Sequence, residues 1–205
     1  MGCLKSLMHK IIFIAVVVAF FAFGGYSFVQ KLINDYQNPT RSEFSKAEMN
    51  YGNFSSVPTD YQLSRSFNLF GYKKINAKYL PTSQKITIYD LRDEKIISPN
   101  DFKTKAIDKK LNDFLDKLKD SLITLEDFQI VERGNYIAKN KTIPYVKFQA
   151  KIKNIPFSNK TGIVAAYSTT NQKAKNPSTK LVFTMTDTKA FNPVIVSGFV
   201  KSIRF

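Results

Sequence analysis

The chain has 205 residues, 31 Lys+Arg against 16 Asp+Glu, a formal net charge of +15, and 43% hydrophobic residues. That hydrophobic share excludes a low-hydropathy disordered chain, and the length suits one domain plus an appended segment. The only cysteine, Cys3, and the only histidine, His9, both precede the first long apolar run, so the rest lacks disulfides, Cys/His zinc sites and Cys–His or Ser–His–Asp catalytic groups.

Residues Ile11 to Val29 (IIFIAVVVAFFAFGGYSFV) carry no charge. A bilayer core needs about 20 such residues, and a run apolar on all sides is not a surface helix. Lys5 and Lys10 precede it, so the short N-terminus is expected to stay cytoplasmic and the long C-terminal part to be translocated. Three readings follow. The run is an uncleaved, single-pass signal anchor in the cell membrane; or it is a signal peptide cleaved after Gly24, releasing a secreted domain. The third is lipidation, because Met1-Gly2-Cys3-Leu4-Lys5-Ser6 matches the N-myristoylation pattern with Cys3 as an acceptor for palmitate.

Residues 1–10 thus read as a cytoplasmic stub, 11–29 as the span, 30–70 as a polar juxtamembrane linker and 71–205 as an extracytoplasmic α/β domain. The linker is rich in Asn, Ser, Tyr and Thr; Arg41 to Met49 is its one candidate helix. In the domain, Tyr72–Leu80 and Gln84–Leu91 read as strands around the turn Pro81-Thr82-Ser83. Ser98-Pro99-Asn100-Asp101 predicts a helix start, with Ser98 as N-cap, Pro99 at the first position and Asp101 as the reciprocal acid. Ile107, Leu111, Phe114, Leu115, Leu118 and Leu122 then fall on one helical face.

Four strands are expected next, at Phe128–Arg133, Thr142–Lys153, Gly162–Thr170 and Lys180–Thr188, in an antiparallel meander. Gly134-Asn135, Ser158-Asn159 and Asn176-Pro177 supply the loops. The second strand alternates cleanly: Val146, Phe148, Ala150 and Ile152 against Lys147, Gln149, Lys151 and Lys153. Asn192 as N-cap and Pro193 begin a C-terminal helix, with Phe191, Ile195, Phe199 and Ile203 on its buried side.

The fold class expected is α+β: an N-terminal transmembrane helix, then an antiparallel sheet packed with one long and one C-terminal helix. This order, with the ending Phe199-Val200-Lys201-Ser202-Ile203-Arg204-Phe205, resembles the PsbP-like superfamily from about Tyr72 onward. The resemblance implies an α/β/α sandwich of the membrane-anchored bacterial type. It implies no catalytic residue. A sheet covered on both faces is at odds with the basic side of Thr142–Lys153, so that strand is either an edge or lies under a partly covered face.

The charge is uneven. Residues 30–89 carry 8 basic and 4 acidic groups, 90–127 carry 8 and 10, and 128–205 carry 13 and 2. The positive block predicts a surface for an anionic partner, built from Lys139, Lys141, Lys147, Lys151, Lys153, Lys160, Lys173, Lys175 and Lys180. The absence of any RNP-like, zinc-finger or helix-turn-helix motif disfavours nucleic acid. The expected partner is a membrane or envelope protein, or an anionic lipid or polymer. Asp90, Asp93, Glu94 and Asp101 are a candidate oxygen cluster for Ca²⁺ or Mg²⁺, but match no EF-hand spacing and are interrupted by Arg92 and Lys95.

No GxSxG, SxxK, phosphate-loop or dinucleotide motif occurs. The expectation is therefore a non-enzymatic binding or assembly protein with no cofactor and no metal. A ligand-binding or carboxylate/Tyr/Lys enzyme domain is one alternative, and a structural part of a secretion apparatus is another.

Overall fold

The computed structural model describes residues 27, 30, 31, 34, 39–66, 73–91, 96–117, 125–139, 141–153, 155, 158–169 and 178–204. The chain divides into two compact units, Met1–Pro39 and Thr40–Phe205. In the first, Ser27, Gln30, Lys31 and Asn34 are helical. The expected span Ile11–Val29 falls, but for Ser27, outside the described residues.

The second unit begins with α1 (Arg41–Ala47), closed by a capping box between Thr40 and Glu43. A short 3-10 turn, Met49–Tyr51, follows. The Arg41 guanidinium donates to the carbonyls of Val57, Pro58 and Tyr61, which draws this polar stretch onto the fold. Then come β1 (Tyr61–Ser66), β2 (Lys74–Tyr79) and β3 (Lys85–Leu91). A 3-10 helix, Pro99–Lys103, and α2 (Ala106–Lys117) lead to β4 (Leu125–Ala138), β5 (Lys141–Ile152), β6 (Asn159–Thr169) and β7 (Ser178–Asp187). The last helix is α3 (Pro193–Ser202), where the Asn192 side chain accepts from the Val194 N–H at 3.0 Å.

All seven strands form one antiparallel sheet in the order β1-β2-β3-β7-β6-β5-β4. Two meanders, β1–β3 and β4–β7, meet at the β3–β7 seam. One face carries Ile75, Ile86, Ile88, Val182, Ile163, Tyr167 and Ile143 under α1 and α3. The other carries Leu91, Leu181, Val164, Val146 and Phe148 under the 3-10 helix and α2.

This corrects the expected fold class, an α/β/α sandwich; the span expected before it lies, but for Ser27, outside the described residues. Among the described residues the protein is a seven-stranded antiparallel sheet with few helices, and no helix there is long and apolar enough to cross a membrane. Two causes added strand. The stretch expected to be linker contributes β1, whose Tyr61 and Leu63 are buried while Gln62 is exposed. Gly134-Asn135, expected as a turn, lies inside β4; the reversal comes at Lys139, which has φ 52°.

The helical turn that starts at Ser98 is short. Ser98 and Asp101 do form a capping box, but on a five-residue 3-10 helix that ends at Thr104 in an extended conformation. Asp101 accepts from the Ser98 N–H at 2.7 Å and from Lys110 at 2.8 Å. Burial pushes its carboxyl up, but Lys110 and Ser98 outweigh burial and hold it below the usual carboxylate range. The ionised carboxylate therefore stabilises the fold above about pH 4, and that contribution is lost as pH falls through the lowered folded value. Asp101→Ala is expected to cost about 1 kcal/mol at neutral pH, a difference that shrinks in acid. Urea denaturation of both chains at neutral and acid pH checks this.

Candidate functional site

Seven strands spaced about 4.8 Å apart make a sheet roughly 29 Å wide. The ten-residue α3 packs on β4 and accepts from the Tyr61 hydroxyl of β1 at its Ile195 carbonyl, and on this face of β4 and β5 it is Tyr136, Ala138 and Ile143, at one end, that are buried in the core. The consequence is visible on β5, an interior strand flanked by β4 and β6. Its Val146, Phe148 and Ala150 are buried against the α2 side. Lys147, Gln149 and Lys151 point to the opposite face, where Gln149 and Lys151 are exposed. Partial cover, rather than an edge position, thus accounts for the basic alternation.

The lysines on this face are held in pairs with β4. Lys147 lies 3.8 Å from Glu132, and Lys151 lies 2.7 Å from Asp127. Glu132 also accepts from the Tyr145 hydroxyl at 2.6 Å, and this bond pushes the Tyr145 phenol up to about 12. Asp127 adopts a left-handed conformation, φ 54°, at one of two register shifts in β4. Such bulges re-aim side chains, here towards β5. A cleft of about 470 Å³ opens beside them, lined chiefly by Asp127, Gln129, Gln149, Lys151, Asn159 and Lys160. It offers three carboxamides and a Lys–Asp pair, groups suited to hydrogen bonding a polar or anionic chain.

The other lysines of the expected surface disperse. Lys153 is exposed in the turn after β5, and Lys139 is exposed between β4 and β5. Lys141 donates to the Ser168 carbonyl, and burial lowers its pKa. Lys160 pairs with Asp187; its register partner Ala150 places it on the α2 side, away from Lys147 and Lys151 in the ladder. Lys173 and Lys175 lie outside the described residues.

Lys180 is not on the surface at all, which corrects its expected place. Its side chain is 1% exposed and lies 2.6 Å from Asp90, whose side chain is 8% exposed. The two are direct cross-strand partners on β7 and β3. Ser178 accepts from Lys180 Nζ at 3.1 Å and donates to Asp90 Oδ1 at 2.5 Å. The Tyr51 ring stands 4.7 Å from Nζ. Beside it the Tyr167 hydroxyl donates to the Tyr51 carbonyl at 2.6 Å, and burial raises the Tyr167 phenol well above its ordinary range.

The alternation carried a signal for this pair. Asp90 falls in register with Ile86 and Ile88, and Lys180 with Val182 and Thr184, so each strand carries an opposite charge at an inward position. The candidate acid cluster is accordingly split. Asp90 goes to Lys180, Asp101 to its cap, and Asp93 and Glu94 lie outside the described residues. Among the described residues no group of three or more His, Cys, Asp or Glu could hold a metal ion.

No protein-family model and no curated protein matches the chain.

Proposed function

We propose that this is a non-enzymatic, single-pass membrane-anchored protein whose exported sheet domain binds an anionic membrane or envelope partner. The observation that carries this reading is the β5 face. An interior strand leaves Gln149 and Lys151 accessible beside Lys147 and Lys153, next to a polar cleft. The Ile11–Val29 run supplies the tether, with Lys5 and Lys10 on the cytoplasmic side.

Lysines at an anionic surface contribute about 1 kcal/mol each. Because Glu132 and Asp127 already compensate Lys147 and Lys151 in part, the combined effect is set below the full sum. For the full chain held in phosphatidylcholine nanodiscs, binding to phosphatidylglycerol vesicles is expected to weaken at least about tenfold when Lys147, Lys151 and Lys153 are all changed to Gln. Binding should also fall with added salt. Equal, salt-insensitive binding by the two chains would remove this reading.

A further inference from the structure

We propose that Lys180 and Asp90 join as an intramolecular amide, an isopeptide cross-link between β7 and β3. The reacting groups are already in contact, with Nζ 2.6 Å from Oδ1, and both are buried. Moving one proton from Nζ to the carboxylate gives an amine beside a carboxylic acid without changing the net charge of the pair. The neutral amine is the nucleophile such a reaction needs. Fixed placement supplies the rest, since pre-positioned groups react as if at very high concentration.

The step balances without a co-reactant. The Nζ lone pair adds to Asp90 Cγ, and a Cγ–N bond forms. Ser178 bridges the two groups, accepting from Nζ and donating to Oδ1. It relays a proton from the nitrogen to the departing oxygen, the Cγ–O bond breaks, and one water leaves. Nothing is oxidised or reduced. The Tyr51 ring over Nζ shields the product amide from water. The bond would staple the seam where the two meanders meet, in a chain whose single cysteine rules out an intrachain disulfide.

The test is a tryptic digest of the purified full chain, unfolded before cleavage. A bonded Lys180 is not cut, so Ile86–Arg92 should appear joined to Asn176–Lys189, with the mass of both peptides less one water, about 18 Da. In a Lys180→Met chain the peptide Ile86–Arg92 should instead appear free, whether or not that chain folds. Free Ile86–Arg92 and full cleavage after Lys180 in the unaltered chain would overturn the proposal. So would a water loss confined to the Asp90 peptide, which marks a succinimide.

Discussion

Relative to the chain in which Lys180 and Asp90 are still an unjoined ion pair, Lys180→Met is expected to destabilise the fold by about 3–5 kcal/mol, because it leaves the Asp90 carboxyl buried without its cation. That is a large share of a domain's usual stability of about 5–15 kcal/mol. The loss follows from the geometry: Asp90 is 6% exposed and has Lys180 and Ser178 as its partners on β7. Among the described residues, removing Lys180 leaves the Ser178 hydroxyl as its side-chain partner. Adding Asp90→Leu to the same chain should recover most of the loss, since an apolar pair of similar volume suits the surrounding Ile88, Val182 and Tyr167. Urea denaturation of the full chain measures both. A single variant losing less than about 1 kcal/mol, or a double variant worse than the single, would contradict the uncompensated-charge account.

The second large effect is expected at Gly162. This glycine lies in β6 opposite Phe148, and a methyl group there would collide with the Phe148 ring and with the Thr184 backbone carbonyl. The ring has little room to retreat, since it stacks between Phe128 at 5.0 Å and Phe183 at 6.0 Å. The carbonyl belongs to the β6–β7 part of the sheet and cannot move without disturbing the ladder. Gly162→Ala should therefore cost at least about 1–3 kcal/mol through overpacking. Trimming Phe148 to Leu in the same chain should make the alanine cheaper than it is alone, because the colliding ring is gone. Purely additive losses in the two-variant cycle would show that the ring is not the obstacle.

Gly134 shows the same arrangement on the other side of β5. A Cβ there would meet the Tyr145 ring, with the hydroxyl oxygen 2.6 Å away, and that ring stacks on Tyr136 at 4.3 Å. From sequence alone a Gly-Asn pair reads as a turn, because glycine's conformational freedom is its commonest use. Here the glycine makes room for a ring across the strand, and β4 runs on to Ala138.

That misreading illustrates what alternation can and cannot convey. Strands with a clean in–out pattern were legible to within a few residues: β5 was expected at Thr142–Lys153 and runs Lys141–Ile152. β1 was not, because a six-residue strand in polar surroundings gives only Tyr61 and Leu63 as inward signals. The capping signature at Ser98 was legible, yet capping fixes where a helical turn begins and not which helix follows. The basic face of β5 could be read from its alternation. Its neutralisation could not, because Glu132 and Asp127 reach it only through a register that two bulges in β4 define.

The strand order also has a consequence in time. β3 closes the first meander, yet its second neighbour is β7, and the Thr184 hydroxyl reaches the Lys85 carbonyl across 99 residues of chain. At about 5–20 residues per second, synthesis leaves the outer edge of β3 unpaired for roughly 5–20 s after it emerges. A bare hydrophobic edge of that kind invites wrong pairing. Asp90 places an inward charge on it, which penalises any incoming strand that lacks a matching cation at that position. The strand that supplies it is β7, so the pair that later lies hidden at the seam would first select which strand may close the sheet.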